Sequence, residues 1–373
     1  MRLIVFLFLL FIGFNSSYAQ LKNQFYVEPS LLFGKIVKHK EEVNFPVDGP
    51  SYGIELNAKW QTRGKKPWQE WQKYPSFGLQ FLAYKLGNKE VLGSAIGVIP
   101  NITLHLMRGE KWNFNFQMGT GIAYLNRPYD RIDNPLNNAI GSSINNTTSV
   151  KFYLERKSQK DISANLGLVF THFSNGGTRL PNLGINIPML SLGFRHEKGR
   201  IEAKSFYKFA QPKSTEKKLG YTLSASLAYQ EIREPGGPIF PVYIGSVGLQ
   251  YRLNKVNRLI IGYEYEFNRS MYFFGYHVFA YANKKEAIQG ASRHMLFLGD
   301  EFIFGDWSLQ LQTGFYVFDK NALLIPWPNY FKLTTKYYLP FGEALKVRSF
   351  VGVAIKSHLF VADYLALTAG MDF

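Results

Sequence analysis

The sequence predicts an all-β protein, a transmembrane antiparallel up-and-down β-barrel of about 16 strands. Segments of about ten residues with alternating polarity follow one another from Phe25 to Phe373, which is the length of a membrane strand. After the N-terminus, no stretch reaches the roughly 18 uninterrupted apolar residues that a membrane-spanning helix needs. The face opposite each apolar row carries mainly glycine, asparagine and glutamine, so the apolar face is expected to contact lipid and the polar face to line a lumen.

The alternation is clear around Trp112, where Phe114 and Phe116 alternate with asparagine and glutamine. The segment from Trp307 to Phe315 shows the same pattern. A water-soluble sandwich would carry many charges on the outer face of every strand, whereas here the charges concentrate in turns. The pattern therefore favours a membrane barrel over a soluble sheet.

Residues 1–19 are predicted to be a secretory signal peptide. Arg2 precedes the short apolar run from Leu3 to Phe14, and Ser17-Tyr18-Ala19 has the small-x-small form of a cleavage site. The chain has no cysteine, which excludes a disulfide-stapled scaffold and a thiol enzyme. The exported protein must therefore be stabilised by its sheet.

The formal net charge is +16 and aromatic residues make up 16% of the chain. This combination occurs in nucleic-acid-binding proteins, but here the aromatic residues alternate with polar residues instead of clustering with lysines. Nucleic acid is therefore not expected as a partner. A basic, exported β protein is expected to meet anionic lipid or glycolipid.

Turn lengths alternate along the chain, as expected for short periplasmic turns and long external loops. The short turns lie at 108–111, 156–160, 254–257, 305–306 and 341–345, and the long loops at 34–50, 126–146, 175–185, 269–291 and 319–327. One segment breaks the rule, since residues 61–74 are long but fall on the periplasmic side.

The second half of the chain is interpreted as a degenerate copy of the first. Leu104 to Leu125 is similar to Asp300 to Phe318, and Leu166 to Phe170 recurs as Val351 to Ile355. The predicted division is a first half at 20–198, a linker or extra strand at 199–217, and a second half at 218–373.

Two arrangements fit about eight strands in each half: one wide barrel, or two small barrels in tandem. The single barrel is the prediction, because both halves have the same apolar outer face and one closed sheet leaves no edge in lipid. The chain ends on Phe373, and an aromatic ending is usual for chains inserted into the bacterial outer membrane. The barrel-assembly machinery is therefore an expected partner during insertion.

Three polar residues interrupt the apolar rows of two consecutive strands. His172 and Ser174 continue the row that contains Leu168 and Phe170, and Asn186 lies in register with the row of the next strand. A polar group on an apolar face is costly to keep without a role. Because residues two apart on a strand are roughly 6.6 Å apart, a histidine and a serine at this spacing can meet.

This arrangement has the chemistry of an ester hydrolase. The imidazole of His172 takes the proton of the Ser174 hydroxyl as the oxygen attacks, and Asn186 orients the histidine through its side-chain carbonyl. Backbone N–H groups of Asn175 and Gly176, with the amide of Asn182, are candidate oxyanion donors. The remaining histidines lie singly, so no metal ion or organic cofactor is expected.

The stretch from Phe170 to Gly177, followed by Pro181, Asn182, Gly184 and Ile185, resembles the PagL family of outer-membrane lipid A 3-O-deacylases. The resemblance is strong for Gly167 to Gly193 and implies an eight-stranded barrel with a lipid-facing His-Ser-Glu triad. It implies that Ser174 is the nucleophile, that His172 is the general base, and that Asn175, Gly176 and Asn182 belong to the oxyanion region. The implied substrate is lipid A or lipopolysaccharide in the outer leaflet.

Asn186 departs from the family pattern, because it occupies the position where the acid is expected and cannot carry negative charge. In the second half, Ser357 stands at the place of His172 and Leu359 at the place of Ser174, while His358 is one residue out of register. The active site is therefore expected in the first half only. The alternatives are a passive porin or structural barrel, and another lipid-active barrel enzyme such as a phospholipase or a palmitoyl transferase.

Overall fold

The computed structural model of the protein describes residues 25–38, 42–157, 162–196, 218–231, 234–318, 328–340, 347–358 and 361–373. The predicted signal peptide and the predicted linker at 199–217 lie outside these ranges. The described strands are β1 (Phe25–Gly34), β2 (Ser51–Gln61), β3 (Ser76–Lys85), β4 (Ser94–Arg108), β5 (Trp112–Leu125), β6 (Ile144–Arg156), β7 (Ile162–Ser174), β8 (Ile185–His196), β9 (Leu219–Glu231), β10 (Ile239–Arg252), β11 (Asn257–Asn268), β12 (Ser292–Phe304), β13 (Trp307–Phe318), β14 (Asn329–Tyr338), β15 (Arg348–His358) and β16 (Val361–Asp372). Three helices are described: α1 (Pro67–Trp71), α2 (Arg269–His277) and α3 (Lys284–Ala291).

The strands form two closed antiparallel barrels, β1 to β8 and β9 to β16. The first closes where β8 pairs with β1, with Leu192 opposite Leu31, and the second where β16 pairs with β9, with Leu367 opposite Leu227. The prediction of an all-β antiparallel barrel protein with 16 strands is thus confirmed, but the single wide barrel is wrong and the tandem alternative is correct. Neither barrel leaves an unpaired strand edge in lipid, because each set of eight strands pairs its own first and last members.

The alternation of connection lengths is confirmed where the connections are described. The long loops 126–143, 175–184 and 269–291, and the described residues 35–38 and 42–50, lie at one end of the barrels, which we call the external end. The short connections 109–111, 253–256 and 305–306 lie at the opposite end, together with the exceptional segment 62–75 that contains α1. The predicted turns at 156–160 and 341–345 and the loop at 319–327 lie wholly or partly outside the described residues.

The predicted inside-out pattern of the first barrel is confirmed by exposure. On β7, Leu168 is 65% exposed, whereas its neighbour Val169 is 3% exposed. On β8, Leu190 is 57% exposed, whereas Ser191 and Arg195 are buried. Even-numbered residues of both strands therefore face outward, and odd-numbered residues face the lumen. No helix within the described ranges is long and apolar enough to cross a membrane.

The lumen of the first barrel holds charged side chains at one end and apolar side chains at the other. Toward the short-turn end it holds buried ion pairs, among them Arg195 with Glu155 at 3.2 Å and Lys59 with Glu28. Toward the external end it holds a cluster of buried apolar side chains that includes Val169, Phe173 and Ile187 and is covered by loop residues. The prediction of a polar lumen is therefore wrong at the external end. There, apolar side chains of the long loops are buried against the strand ends.

The lumen of the second barrel is filled by buried charges of both signs. The carboxylate of Glu266 accepts hydrogen bonds from Lys356 at 2.5 Å and from Tyr364 at 2.8 Å, and lies 3.2 Å from Arg293. Nearer the short-turn end, Glu301 lies 2.6 Å from Arg258. These ions have their counterparts in the same low-dielectric interior, which offsets the cost of removing them from water.

The two barrels contact each other at both ends. At the short-turn end, Lys66 lies 2.9 Å from Asp306, and the amide of Gln72 donates to the carbonyl of Ile303 at 3.0 Å. The Lys66–Asp306 pair is more than half exposed on both sides, so we expect it to add little stability. The contact at the external end involves the loop after β7 and is described below.

We predict that Glu266→Ala destabilises the second barrel strongly. The substitution leaves Lys356 and Arg293 buried with the more distant carboxylate of Asp363, at 3.6 and 3.9 Å, and breaking a buried ion pair in this way costs about 3–5 kcal/mol. Urea unfolding of the protein in lipid vesicles measures the change. The exposed pair supplies the control: Asp306→Asn should change the free energy of unfolding by less than about 1 kcal/mol. Equal effects of both substitutions would contradict this description of the lumen.

Candidate active site

The three candidate residues lie on the outer face of two adjacent strands of the first barrel, at its external end. His172 on β7 is paired directly with Asn186 on β8, and Ser174 is the last residue of β7. All three are even-numbered residues of strands whose even positions face outward. His172 and Asn186 are half-buried and Ser174 is 5% exposed. On the same outer face, the exposed apolar residue Phe170 lies two positions before His172, and the exposed Pro188 lies two positions after Asn186.

The imidazole of His172 is held by Asn186. Its Nδ1 lies 2.6 Å from the side-chain oxygen of Asn186. Because an amide oxygen only accepts, Nδ1 carries the proton and Nε2 presents its lone pair. This is the tautomer that a general base needs, and Asn186 is the group that lies against its Nδ1.

Gly184 packs against the same ring. It adopts φ of +79°, and a Cβ at this position would lie 2.8 Å from Cε1 of His172. A residue with a side chain would therefore be strained in its backbone and would collide with the imidazole. Glycine at this position allows the start of β8 to approach the histidine closely.

The hydroxyl of Ser174 donates to the side-chain oxygen of Asn182 at 3.1 Å and also accepts hydrogen bonds. The backbone N–H of Gly176 donates to its Oγ at 3.1 Å, and the side-chain amide of Asn182 donates to it at 3.0 Å. The oxygen of Asn182 accepts the N–H of Asn175 at 2.9 Å, which fixes the orientation of this amide. Both donors thus lie beside the oxygen that would attack a carbonyl carbon, next to the region where the carbonyl oxygen would become negatively charged.

The loop after Ser174 is stabilised by its own polar groups. Gly176 and Gly177 have φ of +63° and +73°, a conformation that turns the chain sharply after the strand. The side-chain amide of Asn175 donates to Ser142 at 3.0 Å and to the carbonyl of Arg179 at 2.8 Å. The side chain of Asn175 is thus engaged in holding loops together, and its backbone N–H is the part that belongs to the Ser174 environment.

Sequence reasoning missed a polar extension of the site on the two preceding strands. Asn146 lies opposite Ser174 and Thr148 opposite His172 on β6. Asn146 donates to Thr120 at 2.8 Å, and Thr148 donates to Asn146 at 3.2 Å. The signal was present at Asn145 to Ser149, where both faces of a strand are polar and the apolar alternation stops.

The second barrel has no copy of this arrangement on β15, the strand equivalent to β7. Ser357 faces outward there, at the place of His172, and the place of Ser174 lies outside the described residues. His358 points into the lumen, where its Nε2 is 2.6 Å from the hydroxyl of Tyr316. The expectation that His358 faces the opposite side is confirmed.

Among the described residues, no group of three or more histidine, cysteine, aspartate or glutamate side chains is arranged to hold a metal ion. The chemistry available at the outer wall is that of a hydroxyl, an imidazole and amide groups. This set suits nucleophilic attack on an ester with proton transfer through the imidazole.

Comparison with known proteins identifies relatives of both barrels. Residues 52–195 match the family described as lipid A 3-O-deacylase (PagL), and residues 206–373 match the family described as acyloxyacyl hydrolase, C-terminal domain. No curated protein matches the sequence. The crystal structure of the outer-membrane enzyme PagL is similar over 46% of this chain and 99% of its own, with 17% identity and a TM-score of 0.32. Neisserial surface protein A is similar over 47% of this chain and 97% of its own, with 11% identity and a TM-score of 0.31.

We predict that Gly184→Ala displaces the His172 ring while the barrel still forms. The added methyl group must move the imidazole, and the left-handed backbone costs a further 1–2 kcal/mol or so. NMR of histidine-labelled protein in detergent should show the loss of the Nδ1–H···Asn186 hydrogen bond. Gly245→Ala on β10, where an added Cβ would have no atom within 4 Å, serves as control and should leave the His172 signals unchanged. Retention of the hydrogen bond in Gly184→Ala would contradict the packing described here.

Proposed function

We propose that this chain, whose residues 52–195 match the lipid A 3-O-deacylase (PagL) family, is an outer-membrane serine esterase that removes an ester-linked acyl chain from lipid A. The observation that carries the proposal is the grouping of His172, Ser174 and Asn186 on the outer wall of the barrel, with two donors at the serine oxygen. The reaction corresponds to 3-O-deacylation of lipopolysaccharide.

In the first step, Oγ of Ser174 attacks the carbonyl carbon of the acyl ester. Nε2 of His172 takes the hydroxyl proton, and the carbonyl oxygen becomes an oxyanion. The N–H of Gly176 and the amide of Asn182 are the groups that would donate to this oxygen. The carbon–oxygen bond to the sugar then breaks, and the imidazolium returns the proton to the sugar oxygen. The acyl chain remains on Ser174.

In the second step, water attacks the acyl-serine ester. His172 takes a proton from the water, the same donors stabilise the second oxyanion, and the proton passes to Oγ as the serine leaves. The products are a free fatty acid and lipid A that lacks one acyl chain. This chemistry needs no group beyond the side chains and backbone donors at the site.

Asn186 supports the base less fully than a carboxylate would. Its oxygen accepts the Nδ1 proton and so fixes the tautomer. It has no charge to stabilise the imidazolium that forms in the transition state. When an asparagine replaces the acid of a serine triad and the tautomer is wrong, the rate falls by about four orders of magnitude. With the side-chain oxygen of Asn186 facing Nδ1, the imidazole keeps the tautomer that a base needs, so we expect a smaller loss.

The position of the site suits a substrate that is already in the membrane. The outward face below it is apolar, with Leu168, Phe170 and Leu190 each at least 45% exposed. A lipid in the outer leaflet can lay an acyl chain along this face while its ester reaches Ser174 at the external end. The substrate would therefore arrive by lateral diffusion, without passing through a lumen.

We expect Ser174→Ala to abolish deacylation without affecting insertion or heat-modifiability, because the methyl group removes only the nucleophile. Mass spectrometry of lipid A from cells with and without the protein measures the loss of one acyl chain. Ser357→Ala, in the matching stretch of the second barrel, is the control and should behave as wild type. Undiminished hydrolysis in Ser174→Ala would rule out this assignment. Phospholipid analysis of the same cells tests the phospholipase alternative.

We expect Asn186→Glu to keep or raise the rate, since a carboxylate accepts the Nδ1 proton and also stabilises the imidazolium. Asn186→Ala should lower kcat, because the imidazole loses its orienting partner. Both rates are measured with purified protein and lipopolysaccharide in detergent. An unchanged rate in Asn186→Ala would mean that another group orients His172.

A further inference from the structure

The second barrel contacts the loop that carries the candidate oxyanion donors. We call residues 175–184 the active-site loop. Its residues 176–180 lie against the external ends of β9 and β16, the two strands that close the second barrel. The contact therefore joins the candidate active site of the first barrel to the two strands that close the second barrel.

Glu231, the last residue of β9, makes most of this contact. Its carboxylate lies 2.9 Å from Nη1 of Arg179 and accepts the backbone N–H of Leu180 at 2.5 Å. Its own backbone N–H donates to the carbonyl of Gly177 at 3.1 Å. The side chain of Glu231 has no solvent exposure, whereas Arg179 is 46% exposed. The charge-assisted bond from the Leu180 N–H to the buried carboxylate is therefore expected to be the stronger of the two.

The two glycines of the loop pack directly on β16. A Cβ at Gly176 would lie 2.8 Å from Cβ of Leu365, and a Cβ at Gly177 would lie 2.7 Å from the carbonyl oxygen of Asp363. Asp363 is itself fixed by Gln230, whose amide donates to its carbonyl and to its carboxylate at 3.1 Å each. The two glycines therefore pack against a part of β16 that Gln230 fixes through hydrogen bonds to Asp363.

This contact matters for chemistry because of what Gly176 does. Its N–H donates to Oγ of Ser174, so its orientation decides where an oxyanion donor points. A Gly-Gly pair at positive φ has more conformational freedom than any other dipeptide, and nothing in its own side chains can restrict it. A donor of this kind is effective only when it is held in position before the reaction.

We propose that Glu231 is a positioning residue for the active site, and that the second barrel serves as the rigid support that orders the active-site loop. This inference rests on the proposed function. Glu231 contacts neither the substrate nor the reacting atoms. It binds the backbone of Gly177 and of Leu180. These contacts hold the part of the loop that directly follows Gly176, and so they hold the Gly176 N–H in its orientation.

The other inter-barrel contact shows what a purely structural role would look like. Lys66 and Asp306 lie at the short-turn end, distant from Ser174 along the barrel, and both are more than half exposed. If the external contact only joined the barrels, loss of Glu231 would resemble loss of Asp306. It would alter stability or association and leave turnover intact.

The test compares Glu231→Ala, Glu231→Gln and the control Asp306→Asn in the full-length protein, with kcat and KM measured for lipopolysaccharide in detergent. We expect kcat of Glu231→Ala to fall by ~10- to 100-fold with KM within about twofold, because a misplaced catalytic group lowers turnover more than binding. Glu231→Gln keeps an oxygen for the Leu180 N–H but loses its charge, so kcat should fall by only ~3- to 10-fold. Asp306→Asn should match wild type.

The outcomes separate this inference from the proposed function. If Ser174→Ala is inactive while both Glu231 variants turn over at the wild-type rate, the positioning role is wrong and the esterase assignment stands. If Ser174→Ala is as active as wild type, the esterase assignment itself fails. Heat-modifiability on gels confirms that each variant forms its barrels. Should Glu231→Ala not fold, the nearly isosteric Glu231→Gln decides, and an unchanged kcat in that variant overturns the inference.

Discussion

Closure of each sheet on itself is the constraint on which the rest of this structure depends. In lipid, every backbone N–H and C=O must find a partner within the protein, and eight antiparallel strands whose first and last members pair leave no edge. A closed sheet has one inner and one outer face, so the two-residue period of a strand assigns each side chain to lumen or lipid. The exposure of Leu168 beside the burial of Val169 is a direct result.

Closure at eight strands leaves lumens narrow enough to be filled by side chains. The second barrel is filled with charges that neutralise one another, such as Glu266 with Lys356 and Arg293. The first combines ion pairs at one end with an apolar cluster at the other. Interiors packed in this way leave the outer wall as the place for chemistry on a lipid. The catalytic candidates stand there, where a membrane substrate can reach them.

The site itself depends on both short-range and long-range structure. Adjacent strands place Asn186 opposite His172, and the turn after β7 aims the Gly176 N–H at Ser174. The loop that makes this turn lies against Glu231 of the other barrel. A chain with two barrels therefore offers the active-site loop a support that a lone eight-stranded barrel would have to supply from its own loops.

The sequence alone determined the strand pattern, the alternation of connections and the position of His172, Ser174 and Asn186 on one face of neighbouring strands. These follow from the period of two and from a ten-residue loop between neighbouring strands, both of which are local. The tertiary structure decided that the strands close as two barrels, that apolar residues fill the external end of the first lumen, and that Asn146 and Thr148 extend the site. It also decided that Glu231 meets the active-site loop. Each of these depends on which distant segments pair or pack together, and many such pairings satisfy the same alternation of polar and apolar residues.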